Sequence, residues 1–455
     1  MMSIESNGLK TDLYELTMAA GYYQNRHNPQ AVFELYCHTM PPNRSYLVAC
    51  GLEQVLDYIL TLRFRPDDTR YLKTLPIFKK VDASFFRYLR NFKFSGDVWA
   101  LPEGEICFAN EPIVQIRAPL IEAQILETYL LSVINIQTSV ATKAARVVSA
   151  ACADGRRRPV VDFGARRAHG PGAAIMAARA AFIGGCLGTS NVHAAREFAM
   201  PVFGTMAHSW VEAFESESAA FKRFHSVFPQ HTILLVDTYA TLAGVKKAAA
   251  LGRGIRGIRL DSGNLHTLGR RSRRLLDENG LTSVKILASG NLNEYKILNL
   301  VRRGCPIDIF GVGTEMVVAR DFPALDLTYK LVQTKCGNAQ VRYHMKTSAG
   351  KHTMPGRKQV FRFFNQDNTI RKDMIGLFDE KPPAGSRPLL VAYIRRGRRV
   401  QAPIASEKLK KRSAAALSHL PGTYRSLRSQ KAFPVMISPR LSRLKTVQAR
   451  NQGGC

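Results

Sequence analysis

The sequence predicts an α/β fold built around a parallel sheet, and three observations support this prediction. Apolar, β-branched runs alternate with helical stretches between about residues 230 and 320. Each run is apolar along its length and ends in polar residues or glycine, as in strands that are buried on both faces. Towards both ends of the chain this alternation gives way to shorter strand-like runs, which are broken by proline and glycine. We therefore predict a central parallel-sheet domain and terminal segments of a different organisation.

Strands and helices alternate regularly in the central region. The predicted strands are Ile233–Tyr239, Gly257–Gly263, Lys285–Asn291 and Ile307–Glu315, and the helices between them are Ala240–Leu251, His266–Asn279 and Asn293–Arg303. Upstream, Val160–Gly172 reads as a strand that ends in a polar loop, with the helix Ala173–Gly184 after it, and Pro201–Ser209 reads as another such strand and loop. The carboxyl ends of parallel strands meet at the mouth of a barrel or along one edge of an open sheet. The polar residues that follow these strands are therefore expected to form one site.

The two ends of the chain predict mixed and antiparallel structure. Before about residue 120, Ala31–His38 and Gly104–Pro119 read as strands and Gly51–Leu62 as a helix. After about residue 325, Thr328–Lys335 and Lys358–Phe364 read as antiparallel strands. The last fifteen residues are polar and basic, and they are expected to be frayed.

Composition excludes several classes of protein. The longest apolar region, Pro119–Ala151, contains Glu122, Glu127 and Lys143, so it predicts buried helix rather than a membrane span. The first residues lack the basic and apolar regions of a secretory signal. Eight cysteines are scattered without C-x-x-C pairs or zinc-ligand spacing, so we expect reduced thiols in a cytoplasmic protein and no protein metal site.

The formal net charge of +30 is unevenly distributed along the 455 residues. Residues 386–455 contain sixteen lysines and arginines and a single acid, Glu407. Such a segment could bind nucleic acid or another anionic surface, or it could be a solvated basic face. The solvated face is favoured because few aromatic residues are interleaved for base stacking. Nucleic acid is therefore not expected as a partner.

The segment GTMAHSWVEAF (Gly204–Phe214) is the first candidate for chemistry. It presents the hydroxyl of Thr205 and the imidazole of His208 in one loop after a predicted strand. A histidine there can act as a general base or accept a phosphoryl group. A single histidine in a loop is nevertheless more often structural, so this segment alone does not decide the function.

Three carboxylates form the second candidate group, namely Asp237, Asp261 and Asp308. Asp237 and Asp261 lie at or just before the ends of predicted strands. They could orient a histidine, hold a ribose diol or take part in magnesium binding. They could equally be N-caps of the helices that follow, which requires no function.

Glycine- and hydroxyl-containing loops predict a phosphorylated substrate. The segments 260–264, 288–291 and 311–314 each combine glycine with a hydroxyl residue before a helix, where backbone N–H groups bind phosphate well. None matches the Walker motif. Arg166, Arg167 and Arg259 add planar guanidinium forks, and Phe163 could stack on a flat ring. The residues alone therefore indicate an α/β enzyme that handles a phosphorylated sugar and a flat anionic ring.

Together these segments resemble the nicotinate phosphoribosyltransferase family. The resemblance begins at TDLYELTMAAGYY (Thr11–Tyr23), continues through DFGARRAHGP, GTMAHSWVEAF, GIRLDSGNL, ASGNLNEYKI and DIFGVGTEMV, and covers about residues 9–440. It implies a type II phosphoribosyltransferase with an irregular α/β barrel and an α+β domain built from N- and C-terminal segments. The implied division is an N-terminal domain over residues 1–135, a barrel over 136–325, and a segment 326–455 that packs on the N-terminal domain and ends in the basic tail.

The resemblance also implies an activity. The family condenses nicotinate with phosphoribosyl pyrophosphate to give nicotinate mononucleotide and pyrophosphate, in the salvage of NAD. ATP is a co-substrate whose hydrolysis is coupled through a phosphohistidine, Mg²⁺ is required, and the enzymes are homodimers with sites near the subunit interface. The alternative is a relative specific for nicotinamide or quinolinate.

Residue by residue, His208 matches the phosphorylated histidine and Asp237 the carboxylate that orients it. Thr205, Arg259 and Tyr14 match positions that contact nicotinate, with Tyr14 reaching the ring from the partner subunit, and Phe163 matches the aromatic side chain on the other face of the ring. The remaining matches belong to the region that holds the phosphoribosyl and phosphate groups: Arg166, Asp261, Ser289, Gly290, Gly313 and Thr314.

Two further expectations concern which pyridine ring the site accepts and the positions at which the sequence departs from the family pattern. Nicotinamide-using relatives carry an aspartate in the loop that corresponds to Gly188–Val192. Here that position is Ser190, which favours a carboxylate-bearing ring. The chain departs from the family pattern at His38, Gly172 and His193.

Overall fold

The computed structural model describes residues 7–346, 353–428 and 430–453. The chain divides into two compact units. The central unit comprises Ser139–Pro323 and Ala405–Ala414, and the terminal unit comprises Met1–Thr138, Ala324–Ile404 and Ala415–Cys455. The short segment Ala405–Ala414 belongs to the central unit, whereas the family resemblance implies that all of 326–455 lies with the N-terminal domain.

The central unit is built on a parallel sheet, as the alternating pattern predicts. Its order is Gly188–Thr189, Val160–Asp162, Ile309–Val312, Lys285–Ala288, Gly257–Leu260 and Ile233–Leu235. All neighbours in this sheet are parallel, and a further parallel bridge joins Thr189 to Val202. Leu234, Ile258, Ile286 and Phe310 are completely buried, so the strands are covered on their faces as expected.

Helices separate these strands in the chain, and asparagine or serine side chains begin several of them. Asn191, Ser216, Asn264 and Asn293 accept hydrogen bonds from backbone N–H groups of the first turn. The helix after Asp237 has Ala240 at its N-cap without a side-chain bond, and Asn264 caps the helix after Asp261, so neither aspartate caps the helix that follows it. The helices are Glu127–Ala151, which begins in the terminal unit, then Pro171–Ile183, Val192–Glu197, His208–Glu212, Glu217–Val227, Thr241–Ala249, Leu265–Glu278, Glu294–Arg302 and Thr314–Val317.

The segment Pro201–Ser209 is less regular than the sequence predicts. Only the bridge at Val202 pairs with the sheet, and an extended loop then leads into the short helix His208–Glu212. This loop carries Thr205 and ends at His208.

The terminal unit contains the predicted antiparallel strands in two larger sheets. The first has the order Arg342–Tyr343, Leu327–Lys335, Gln30–Cys37, Pro112–Pro119, Asp97–Ala100, Val391–Arg395 and Arg398–Arg399. The second has the order Ser386–Pro388, Lys358–Phe364, Ile370–Leu377 and Val435–Ile437, and Leu47–Val48 pairs separately with Ile106–Cys107. The helices are Leu13–Gln24, Leu52–Thr61, Pro66–Thr74, Ala83–Arg90, Leu120–Gln124, Pro439–Gly453 and Ser406–His419, the last of which begins in the central unit.

The expectation of a frayed C-terminus was wrong. The structure has a helix over Pro439–Gly453. Leu441 is completely buried and packs with Ile375 and Leu377, and Leu444 contacts the same cluster. The apolar spacing of Leu441 and Leu444 holds the helix on the sheet despite its basic composition.

Candidate active site

Residues of the predicted site gather where the parallel strands of the central unit end. Phe163 follows Val160–Asp162, Ser190 follows Gly188–Thr189, and Asp261 follows Gly257–Leu260. Ser289 follows Lys285–Ala288, and Gly313 follows Ile309–Val312. The common edge predicted from the sequence is thus present, and two cavities open along it.

The first cavity has a volume of about 310 Å³ and is suited to a ring beside a histidine. Phe163 supplies an aromatic face, and the loop before His208 supplies Thr205 and Met206. The other lining residues are Ala165, Arg166, Ser190, Gly204, Ala207, His208, Leu235, Arg259 and Asp261.

The second cavity has a volume of about 180 Å³ and is lined by cations, hydroxyls and glycines. It shares Phe163, Arg166, Arg259 and Asp261 with the first cavity, so the two adjoin. Its other lining residues are Arg167, Ser289, Gly290, Asn291, Gly311, Gly313 and Thr314. This combination suits phosphate groups.

Arg259 joins the two cavities through a network of hydrogen bonds. Its Nε donates to Ser289 Oγ at 2.8 Å, Nη1 to Thr205 Oγ1 at 3.1 Å, and Nη2 to Asp261 Oδ1 at 2.6 Å. Its guanidinium carbon lies 5.3 Å from the ring centroid of Phe163. An arginine has five N–H donors, and these three bonds leave two for a ligand.

Asp261 is held as a carboxylate in this network. Burial by itself would raise its pKa, but the Ser289 hydroxyl, the Arg259 guanidinium and the nearby His208 hold the pKa of Asp261 below its ordinary value. The carboxyl group therefore carries a negative charge at neutral pH.

Arg166 and Arg167 lie on the short 3₁₀ turn Ala165–Arg167 and are exposed. In the part of the chain that the structure describes, neither side chain makes a hydrogen bond or an ion pair. Free guanidinium groups at the wall of a cavity are available to a phosphate or carboxylate ligand.

Gly290 and Asn291 form a tight turn after the strand Lys285–Ala288. Gly290 has φ 89° and Asn291 has φ 49°. A Cβ atom on Gly290 would lie 1.7 Å from the carbonyl oxygen of Asp261, so no other residue fits there. The turn places backbone beside the second cavity, as the predicted phosphate loop requires.

His208 is half-buried and contacts an unexpected neighbour. Its Nδ1 lies 3.1 Å from Thr238 Oγ1. Asp237, the predicted orienting carboxylate, instead uses Oδ2 to accept hydrogen bonds from the Asp261 N–H at 3.0 Å and the Ser262 hydroxyl at 2.5 Å. Asp237 Oδ1 is buried and has no hydrogen-bond partner among the described residues.

Two further residues of the site were missed by sequence reasoning. Nothing in the sequence indicated a role for Thr238 except its position next to Asp237. Asp162 is completely buried, accepts hydrogen bonds from Gly164 N–H at 2.8 Å and Thr189 Oγ1 at 2.7 Å, and so holds the loops of Phe163 and Ser190 together. Its position at the end of the strand Val160–Asp162 was the sequence feature that could have identified it.

Two predicted residues lie elsewhere. Asp308 precedes the strand Ile309–Val312, accepts the N–H of Ile286 at 3.0 Å and lies 3.5 Å from Lys285 Nζ, so it does not belong to the edge formed by the strand ends. Tyr14 lies in the terminal unit on the helix Leu13–Gln24 and is 46% exposed. Burial, with Glu127 and Glu15 nearby, raises the pKa of Tyr14 above its usual range. Its contact with the ring stays a prediction.

The side chains of the site are also relevant to the binding of Mg²⁺. Among the described residues no three His, Cys, Asp or Glu side chains converge as a protein metal site. Mg²⁺ is, however, commonly held by one or two carboxylates together with substrate phosphates. The unpartnered Asp237 Oδ1 and the ionised Asp261 fit such a shared site. No helix in the described part of the chain is long and apolar enough to cross a membrane.

Comparisons with known proteins give the family. Residues 9–135 match the N-terminal domain of nicotinate phosphoribosyltransferase, and residues 159–377 match the nicotinate phosphoribosyltransferase family. The chain is 46% identical to nicotinate phosphoribosyltransferase pncB2 of Mycobacterium tuberculosis, over 95% of this chain and 92% of that protein. It is 41% identical to the nicotinate phosphoribosyltransferase of Bacillus subtilis, over 83% and 77% of the two chains.

A solved structure agrees with these matches. The crystal structure of human nicotinic acid phosphoribosyltransferase superimposes with a TM-score of 0.84 at 27% identity, over 96% of this chain and 99% of that one. This confirms the predicted fold class, an α/β type II phosphoribosyltransferase with a second domain built from both ends of the chain. The chain belongs to the nicotinate phosphoribosyltransferase family.

Proposed function

We propose that this chain transfers the 5-phosphoribosyl group of phosphoribosyl pyrophosphate to the ring nitrogen of nicotinate, releasing pyrophosphate. The product, nicotinate mononucleotide, enters the salvage of NAD. We further propose that ATP drives the reaction through a phosphate carried on His208. The observation that carries the proposal is the pair of adjoining cavities that share Phe163, Arg166 and Arg259.

Nicotinate fits the first cavity because that cavity combines an aromatic face with a cation. Phe163 would stack on the pyridine ring, and the two unused N–H donors of Arg259 would bind the carboxylate. Thr205 fixes the guanidinium from the side of the His208 loop. We propose that the partner subunit's Tyr14 covers the other face of the ring in a homodimer.

Phosphoribosyl pyrophosphate fits the second cavity. Arg166 would hold phosphate oxygens, with Arg167 beside it, and the backbone around Ser289, Gly290, Gly313 and Thr314 would line the phosphates. As the bond between the anomeric carbon and pyrophosphate breaks, negative charge grows on the leaving group and positive charge on the ribose. Fixed cations around the leaving group would stabilise its negative charge in that transition state, and the carboxylate of Asp261 near the ribose would stabilise the positive charge.

Asp237 and Asp261 are the residues that would hold Mg²⁺ together with the pyrophosphate oxygens. When bound, the ion would neutralise charge on the departing pyrophosphate.

Ser190 favours nicotinate over nicotinamide. It lines the first cavity, and its N–H donates to the carbonyl oxygen of Asp162 at 2.8 Å, so its position is fixed. A serine hydroxyl can donate to a carboxylate, whereas an aspartate there would repel one.

Two broader properties accompany the proposal. The described cysteines are free thiols, which fits a reducing cytoplasm. Residues 386–455 contain few aromatic side chains for base stacking, so nucleic acid is not part of the proposed function.

The test is a product assay with phosphoribosyl pyrophosphate and nicotinate, nicotinamide or quinolinate, each with and without ATP. We expect turnover to be fastest with nicotinate as the ring substrate, and ATP to increase that rate. His208→Ala is the matched control and should lose the stimulation by ATP. A preference for nicotinamide or quinolinate would overturn the assignment of the ring, and normal ATP stimulation of His208→Ala would overturn the role of His208.

A further inference from the structure

A third cavity lies in the central unit, apart from the two that form the candidate active site. Its volume is about 410 Å³, which is larger than that of either of the others. None of the described residues that line it lines the first or the second cavity. They are His225, Pro229, Gln230, Arg253, Gly254, Ile255, Arg256 and Ser283.

This third cavity lies where the parallel strands begin. Arg256 comes directly before the strand Gly257–Leu260, and Ser283 lies shortly before the strand Lys285–Ala288. Neighbouring strands run parallel, so their beginnings share one edge of the sheet and their ends share the opposite edge. The length of a four-residue strand, roughly 13 Å, therefore separates the third cavity from the candidate active site.

Two arginines in the wall of the third cavity have no acid to balance their charge. Arg253 makes no hydrogen bond or ion pair in the part of the chain that the structure describes. Arg256 donates from Nε to the carbonyl oxygen of Gln230 at 3.3 Å and from Nη2 to Gln230 Oε1 at 3.0 Å, and both acceptors are neutral. No aspartate or glutamate is among the described residues that line the cavity. The two positive charges are therefore uncompensated there.

The contact with Gln230 holds one guanidinium in place and still leaves it donors. An arginine has five N–H donors, and the two bonds to Gln230 leave three of those of Arg256 for a ligand. Arg253 contributes a second planar fork, and Ser283 contributes a hydroxyl. Guanidinium forks and hydroxyls are well suited to bind the oxygens of a phosphate group.

The ring of His225 forms a fixed part of the wall. The Thr232 hydroxyl donates its single hydrogen to the carbonyl oxygen of Phe228 at 2.7 Å, so its oxygen accepts from His225 Nδ1 at 3.0 Å. A Cβ atom on Gly254 would lie 2.7 Å from His225 Nε2, so only glycine leaves room for the ring in this position. This side of the cavity is therefore formed before any ligand binds.

We propose that the third cavity binds a phosphorylated small molecule, whose phosphate group is held by Arg253 and Arg256. A cavity larger than the one that suits a pyridine ring has room for more than a phosphate ion. Pro229 and Ile255 supply apolar surface for the rest of the ligand, so the ligand class is a phosphate ester, such as a sugar phosphate or a nucleoside monophosphate. This assignment does not depend on the proposed catalytic function.

Equilibrium dialysis with radiolabelled AMP tests the proposal. Combining Arg253→Met with Arg256→Met removes both cations from the cavity. Combining Arg271→Met with Arg274→Met, at exposed helical positions, removes the same charge and is the matched control. Ser283→Asp keeps both arginines and adds a negative charge to the cavity. Thermal unfolding confirms that each variant is folded.

We expect AMP to bind about 10- to 100-fold more weakly to the Arg253→Met, Arg256→Met variant and to Ser283→Asp, because charge-assisted hydrogen bonds are lost or opposed. The matched control should bind AMP as the wild type does. Inorganic phosphate should bind the wild type more weakly than AMP and lose affinity in the same variants. If it binds as tightly as AMP, the ligand class is wrong.

Arg166→Met separates this site from the second cavity. It should keep the AMP binding that the Arg253→Met, Arg256→Met variant loses. The proposal fails if AMP binding is unchanged in that double variant, or if Arg166→Met alone abolishes it. A wild-type chain whose only AMP site is lost in the double variant would support the third cavity and count against the assignment of phosphates to the second.

Discussion

Two arginines, one in each unit, show opposite uses of the same side chain. Arg362 in the terminal unit is completely buried and donates to Asp373 at 2.7 Å, Glu105 at 2.8 Å and the carbonyl oxygen of Ile106 at 2.9 Å. Arg166 in the central unit is exposed beside two cavities and has no such partner among the described residues. A buried cation that is paired with two carboxylates stabilises the fold, whereas a cation left unpaired at strand ends is available to a ligand.

Arg259 lies between these extremes. It is paired with Asp261, Ser289 and Thr205, yet it lines both cavities and keeps two donors for a ligand. Its protein partners fix the direction of those two donors. The comparison therefore predicts that variants at the three arginines separate stability from activity.

The largest effect is expected for Arg362→Met. Removing the cation leaves Asp373 and Glu105 buried without compensation, and the free energy of unfolding should fall by about 3–5 kcal/mol. Denaturant unfolding measures this change. Arg371→Met, at an exposed position on the strand Ile370–Leu377, is the control and should change it by less than about 1 kcal/mol. An Arg362→Met variant as stable as the wild type would remove the basis of the comparison.

Arg166→Met should show the opposite behaviour. We expect kcat/KM for phosphoribosyl pyrophosphate to fall about 10²–10³-fold, because the cation that we propose binds the phosphates of the leaving group is lost. The free energy of unfolding should stay within about 0.5 kcal/mol of the wild type. Steady-state kinetics and denaturant unfolding are measured on the same preparation. Arg274→Met, at an exposed position on the helix Leu265–Glu278, should leave both quantities unchanged, and equal losses in the two variants would contradict the assignment.

Arg259→Lys tests the intermediate case. Lysine keeps the charge but loses the planar fork, so kcat/KM for nicotinate should fall about 10- to 100-fold. Stability should fall by about 1 kcal/mol because the bonds to Ser289 and Thr205 are weakened. If stability changes without any change in kinetics, Arg259 belongs with Arg362 as a purely structural cation.

The smallest effect concerns a buried acid, Glu15, that has no cation as partner among the described residues. Burial raises the pKa of Glu15 to about 7, although the hydroxyls of Thr11 and Thr128 oppose the shift. In the folded state Glu15 thus holds its proton to higher pH than in the unfolded state. Its contribution to stability is present below about pH 4.5 and is lost as pH rises towards 7.

Glu15→Gln should flatten this dependence. Thermal unfolding measured at intervals between pH 4.5 and 8 is the check, with the exposed Glu278→Gln as control. A wild-type profile that rises across that range in parallel with the Glu15→Gln profile would show that Glu15 is ionised in the fold.

Much of the central unit could be predicted because its signals are local. Buried parallel strands need continuous apolar runs, and glycine or polar residues mark their ends. Phe163, Arg259, Asp261 and Ser289 therefore came together as the pattern implied. Gly290 was predictable too, since a turn this close to another backbone accepts only glycine.

The features of the site that could not be predicted from the sequence depend on loop geometry. Whether Asp237 or Thr238 faces His208 is decided by how the chain leaves the strand Ile233–Leu235, and no pattern encodes that turn. Asp308 resembles Asp261 in the sequence, yet it lies at the beginning of its strand rather than at the end.

The basic tail shows a second kind of feature that could not be predicted from the sequence. Lys410 reads as part of a solvated cationic face, but its Nζ donates to the carbonyl oxygen of Cys186 at 2.8 Å and lies 4.3 Å from the ring centroid of Phe182. Such a contact between distant parts of the chain leaves no periodic trace in the sequence.

Because Arg259 contributes to both cavities, occupation of one should alter the other. A ligand that orders the guanidinium in the first cavity also fixes the neighbours of the second, Ser289 and Asp261. Thermodynamic linkage then requires reciprocity: if phosphoribosyl pyrophosphate tightens the binding of nicotinate by some factor, nicotinate must tighten the binding of phosphoribosyl pyrophosphate by the same factor. A single side chain would thus couple the binding of the two substrates.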